Sequence, residues 1–204
     1  MAISMTFVLS AGEIDLSVGA VAGLTTVTVA MAIAVAGPVG GVAAGIVTGL
    51  AVGMFNGWLT TRIGIPSFLT TLAMMGIAKG VAMWVSATAA VPILSPSYSW
   101  LFGGGSVGPI PVLLFWIAAL GGIGHIALLK SGFGRRVLAT GGGETAARYS
   151  GIDTANIKMK VLVLSSCAAA LAGMLYAGRL QSGRFQLGEG DELSVIAAAV
   201  LGGT

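Results

Sequence analysis

The chain has 204 residues, 56% of them hydrophobic and only 8% charged, with a formal net charge of +3 and a mean hydropathy of +0.98. A soluble globular domain carries about 25% charged residues, so this chain could not cover its own surface in water and must face lipid. The basic residues are few and most lie in one connection, which excludes a nucleic-acid footprint. Glycine is frequent at 33 residues but follows no three-residue period, and Cys167 alone allows neither an intrachain disulfide nor a cysteine metal cluster.

The opening MAISMTFVLSAGEID has no basic start followed by an apolar core, so it does not read as a secretory signal. A charge-free run from Leu16 to Gly37, then Pro38 and a second run from Val39 to Leu59, predict a helical hairpin. At 1.5 Å per residue each arm can cross about 30 Å of hydrocarbon. A third span runs from Pro66 to about Ala87 and contains Lys79, a fourth from Ile110 to Leu129, and a fifth from about Val161 to Gly178. A sixth begins near Leu193 and is cut short at Thr204. The expected fold is all-α, a polytopic transmembrane bundle of about five complete spans plus a partial sixth. Residues 1–204 are expected to form one partial transmembrane domain with a long connection, 130–160, inside it.

Between spans three and four, VPILSPSYSWLFGGGSVGP breaks regular structure and offers Tyr98 and Trp100 to a membrane interface without any Lys or Arg. The 130–160 connection instead carries Lys130, Arg135, Arg136, Arg148, Lys158 and Lys160, and basic short loops favour the cytoplasm. Alternation then places the Tyr98 loop outside, the Arg62 turn inside, the Pro38 turn outside and the Glu13 segment inside. It also places Arg179 to Glu192 outside, where two arginines mildly oppose the rule, which leaves the fifth crossing the least secure.

Asp15-Leu16-Ser17-Val18, entering the first span, is echoed by Glu192-Leu193-Ser194-Val195, entering the last. If both mark corresponding helix starts, five crossings make the second copy inverted, and a pathway would run between two halves past Asp15, Ser17, Glu192 and Ser194. The competing reading is that acidic residues and Ser suit any helix N-terminus.

Within the basic connection, Glu144 to Ser150 can form a short helix, preceded by flexible glycines and ended by Gly151, with Glu144 and Arg148 at i, i+4. That pair suits either a solvated surface bridge or a docking contact. The segments AGEIDLSVG, NGWLTTRIGIPSFLTTLAMMGIAKG, SGFGRR, GGGETAARYSGI and GEGDELSVIAAAVLGGT together resemble permease subunits of ribose-type ATP-binding-cassette sugar importers, in family order across most of the chain.

The resemblance implies that GGGETAARYSGI is the cytoplasmic coupling segment seated in a cleft of the ATPase subunit, with Glu144, Ala146, Ala147, Arg148 and Gly151 at the matching positions. It implies no cofactor and no catalysis on this chain. Partners would be the ATPase, a second permease subunit (the same or a different chain), an extracytoplasmic sugar-binding protein and the lipid of a bacterial inner membrane. This chain departs from the family where Glu13 replaces a common Gly, Gly143 an Asn and Ser194 an Asp. Family members are roughly half again as long, so the chain is expected to lack an N-terminal span or two and the helices after VLGGT.

Among polar residues in the spans, Lys79 either snorkels outward, the favoured reading, or lines a polar path. Asn56 more readily bonds a neighbouring helix than a sugar, and remains a pathway candidate. His125 has no ligand-spaced partner, and the glycine triplets at 103–105 and 141–143 lack the Lys-Ser/Thr of a phosphate loop. An ATP-driven sugar permease is the leading expectation. An ion-coupled secondary transporter would want acidic residues deep in the spans, and a non-transporting permease fragment is the third alternative.

Overall fold

The computed structural model describes residues 1–203 and is nearly all helical. Thr204, where the sequence reading ends its partial sixth span, lies outside the described residues. In chain order the elements are α1 (Ala2–Ser10), α2 (Val18–Trp58), α3 (Ser67–Val85), β1 (Val91–Pro92), α4 (Pro96–Ser99), β2 (Ser106–Val107), β3 (Ile110–Pro111), α5 (Val112–His125), α6 (Gly132–Gly142), α7 (Glu144–Tyr149), α8 (Thr154–Leu180), β4 (Ser182–Gly183) and α9 (Asp191–Leu201). Single π-helical turns extend α2 to Ile63 and α5 to Lys130. Among the described residues, four helices are long and apolar enough to cross a membrane: Val18–Ile63, Ser67–Val85, Val112–Lys130 and Thr154–Leu180.

The 41 residues of α2 are not one rod. Gly37 takes φ 68° and ψ −171°, a conformation open to glycine, and Pro38 restarts the helix with its preset φ. The two arms then fold back on each other. The Thr28 and Thr48 hydroxyls meet at 3.0 Å, and a Cβ on Gly45 or Gly41 would touch Val29 or Ile33 of the first arm. The predicted hairpin is therefore present, with its turn at Gly37–Pro38.

Glycines spaced four apart on the second arm, Gly45, Gly49, Gly53 and Gly57, form a seam against α8. A Cβ on Gly49 would lie 2.8 Å from Ala170 Cβ, and one on Gly53 2.7 Å from Val163 Cα. Small residues at this spacing let helix backbones approach closely in a membrane, where packing rather than apolar desolvation joins helices. The main buried cluster surrounds this seam, joining Val21, Val27 and Val52 of α2 to Val161, Leu162 and Ala169 of α8, and Met5 and Val8 of α1.

The long connections sort to two ends. At one, Gly12 and the Ser10 carbonyl sit against Gly141, and Ile14 N–H donates to Ser67 Oγ at 3.2 Å. This end carries Arg62, Lys130 and the 130–160 residues, and is called the basic end below. At the other, β1 pairs antiparallel with β4, Val91 opposite Gly183. There the Tyr98 hydroxyl donates to the Met174 carbonyl at 3.0 Å, and Tyr98 and Phe102 stack. Helix α8 thus connects the two ends. One expectation changes. Gly141 and Gly142 close α6 rather than forming a flexible lead-in, because Gly141 has no side chain to collide with the Ser10 carbonyl. The N-terminal stretch forms α1, whose Met5, Phe7 and Val8 are buried.

Candidate functional site

The basic end is organised around α7. Ser131 caps α6 by accepting from Gly134 N–H at 3.0 Å, and Asp153 caps α8 by accepting from Asn156 N–H at 3.0 Å. Between these caps α7 makes little more than one turn, and Gly151 at φ +82° reverses the chain into α8. The helix is as short as predicted and is held by ions. Lys158 Nζ lies 2.8 Å from Glu144 Oε2 and 2.7 Å from Glu13 Oε1. Thr154 Oγ1 donates to Glu144 Oε1 at 3.2 Å, and Arg148 Nε donates to Thr154 Oγ1 at 3.0 Å.

The Glu144–Arg148 pair itself is looser, 3.7 Å with the arginine 64% exposed, and contributes little alone. Lys158 and Glu13 are the enclosed members, their side chains 20% and 9% exposed. The hydrogen bond from Lys158 holds the Glu144 carboxyl below the usual glutamate range; burial opposes it, and the Lys158 charge, Thr154 and Arg148 reinforce it. Three parts of the chain, the segment before α2, the short helix and the start of α8, are thus joined through one ammonium.

Of the residues matched to the coupling segment, Ala146 and Arg148 face outward, while Ala147 turns into the protein at 5% exposure. Ala147 therefore seats α7 on its own chain rather than offering a surface. Tyr149, which the sequence reading passed over, is 89% exposed beside Arg148. A cavity of about 330 Å³ opens next to it, lined by Arg136, Ser150, Gly151, Asp153 and Lys160 among others.

The pathway candidates fall into two groups. Asp15, Ser17 and Asn56 are fully buried together: Asp15 Oδ1 accepts from Ser17 N–H at 2.9 Å and Ser17 Oγ at 2.6 Å, and Asn56 Nδ2 donates to Ser17 Oγ at 3.2 Å. Asn56 therefore bonds the facing arm of its hairpin, as favoured. Ser165 of α8 lies beside the same carboxyl, and Asp15 Oδ2, Asn56 Oδ1 and Ser165 Oγ have no partner among the described residues.

Lys79, Glu192 and Ser194 belong to the second group. Lys79 Nζ pairs with Glu189 Oε1 at 2.6 Å, both side chains substantially exposed. Ser194 is exposed and Glu192 half-buried in the first turn of α9. A Cβ on Gly19 would collide with the Gly188 carbonyl and the Glu192 carboxylate, so the two echoed helix starts meet. Asp191 accepts from the Tyr176 hydroxyl at 2.6 Å, and neither Arg179 nor Arg184 makes an ion pair among the described residues. No group of His, Cys, Asp and Glu able to hold a metal occurs among the described residues.

The family described as "Branched-chain amino acid transport system / permease component" matches residues 1–204. The chain is 39% identical to the ribose import permease protein RbsC of Bacillus subtilis, covering 100% of this chain and 64% of that protein. It is 39% identical to the L-arabinose transport system permease protein AraH of Escherichia coli, covering 100% and 62%. It is 35% identical to the autoinducer 2 import system permease protein LsrC of Yersinia enterocolitica, covering 100% and 56%. The chain thus spans less than two thirds of the length of these curated relatives. No solved structure matches it.

Proposed function

The chain belongs to the branched-chain amino acid transport system / permease component family, and on that premise we propose that it forms the membrane pathway of an ATP-driven importer for a small sugar, ribose or a related monosaccharide. Hydrolysis occurs on a partner ATPase, this chain being a transport subunit rather than an enzyme. A second permease subunit completes the pathway, an extracytoplasmic binding protein delivers the sugar, and the basic end faces the cytoplasm of a bacterial inner-membrane protein. The names of the relatives, for ribose, arabinose and autoinducer 2, support this reading.

The observation that carries the mechanism is the ionic seat of α7. A short helix with outward Ala146, Arg148 and Tyr149 enters a cleft of the ATPase, and Glu144, held to Lys158, passes its displacement to α8 and to Glu13. Glu13 lies two residues before Asp15, so motion reaches the buried Asp15–Ser17–Asn56 group at the start of α2. Switching requires that nucleotide states of the ATPase differ in their grip on α7. The finer architecture is part of the same proposal: five crossings and a partial sixth, with α2 and α9 as inverted counterparts whose N-terminal turns meet near the midplane.

The buried Asp15 is a feature an ion-coupled transporter would use. Arg148→Glu separates the readings. It is expected to reduce ATPase co-purification and sugar uptake while the protein still inserts; undiminished association and uptake would remove α7 from the coupling role.

A further inference from the structure

The connection between α8 and α9 does not stay at the membrane edge. From β4 it passes along the first turns of α2: Arg184 N–H donates to Thr26 Oγ1 at 2.9 Å, and that hydroxyl donates to the Arg184 carbonyl at 2.9 Å. A Cβ on Gly23 would lie 2.6 Å from the Phe185 carbonyl oxygen, and one on Gly188 2.6 Å from the Gly19 carbonyl oxygen. The contacts run from Thr26 back to Gly19, about 10 Å of helix rise, inside an arm just long enough to cross the hydrocarbon. Lys79, two thirds of the way along α3, independently reaches Glu189 of the same segment.

The segment is not helical. Three successive turns close it, from Arg184 O to Leu187 N, Gln186 O to Glu189 N and Gly188 O to Asp191 N, with positive φ at Gly188 and Gly190. One side is sealed against α2. The other exposes Arg184, Gln186 and Glu189. Irregular backbone at membrane depth survives only when buried in protein or lining a water-filled cavity, and charged side chains there are costly against lipid.

We infer that residues 184–190, with Lys79, form a re-entrant strip lining the aqueous solute path, and that this strip contacts a hydroxyl-rich solute. Lys79 is paired with Glu189, which leaves Arg184 as the uncompensated charge of the strip. Gln186 both donates and accepts, matching hydroxyls that do the same. The assignment rests on the permease reading and deepens it.

The test is thiol accessibility in the assembled transporter, in a Cys167→Ala background. Gln186→Cys is expected to react with the membrane-impermeant reagent MTSET within ~10-fold of Ser97→Cys on the outer loop, and at least ~100-fold faster than Ile117→Cys on the apolar face of α5. A Gln186→Cys as slow as Ile117→Cys overturns the inference. Should that variant not accumulate, Arg184→Cys probes the same face and is judged by the same rates. A Gln186→Ala transporter is further expected to show a raised KM for labelled D-ribose uptake. Loss of the importer reading would appear separately, as ATPase association indifferent to Arg148→Glu while Gln186→Cys still reacts.

Discussion

The two ion-paired clusters, at opposite levels of the molecule, are built differently. At the basic end Lys158 is enclosed between two carboxylates from different parts of the chain, with Glu13 9% exposed. On the far side Lys79 and Glu189 form a single pair, 41% and 58% exposed. Glu13 and Lys158 are largely withdrawn from water and so resist separation, whereas the exposed pair can break and reform at little cost. The first suits a part that must transmit displacement, and the second suits a wall past which solute moves.

Lys158→Met should give the largest effect, because it leaves Glu13 buried without its cation. Breaking an enclosed pair in this way costs ~3–5 kcal/mol, toward the lower end here because Lys158 retains some exposure. A fall in the detergent-solubilised melting temperature together with lost uptake is expected. The Glu13→Gln/Lys158→Met double variant should recover much of that loss, whereas strictly additive effects would show that the two groups do not interact.

Glu144→Gln comes next. It keeps the size of the side chain but loosens α7, and should lower coupled uptake more than it lowers melting temperature. The depressed Glu144 carboxyl adds a pH dependence whose sign is fixed. Its contribution is complete above the ordinary glutamate value of about 4.3 and is lost only as pH falls through the lower folded value. ATPase association should therefore be flat from about pH 8 to about pH 5; a drop centred near pH 6 would contradict the Lys158 tie. Lys79→Gln should be smallest for stability, below about 1 kcal/mol, yet visible in uptake kinetics. Equal destabilisation by Lys79→Gln and Lys158→Met would erase the contrast between the two clusters.

Much of this was legible in the residue order. Uninterrupted apolar runs predicted the long apolar helices, Gly37–Pro38 the hairpin turn, and Glu144 to Gly151 the short helix, because each depends on local chain chemistry. The ion pair between Glu13 and Lys158 was not legible, since 145 positions separate them and a single glutamate carries no sign of its partner. Tyr149 escaped notice because nothing in its neighbours foretells that it projects. The stretch from Arg179 to Glu192 is placed outside by alternation of the crossings alone, which carries no information on its packing. Only the fold shows that residues 184–190 pack against Gly19, Gly23 and Thr26 of α2, the contacts on which the re-entrant assignment rests.

The glycine seam has a mechanical consequence. With Gly49 and Gly53 in backbone contact with α8, no layer of side chains remains there to shear. The second arm of α2 and α8, about 40 Å long, must tilt together as one beam. On the proposed coupling, a push on Lys158 at one end becomes a swing at the other, where β4 hands the chain to residues 184–190.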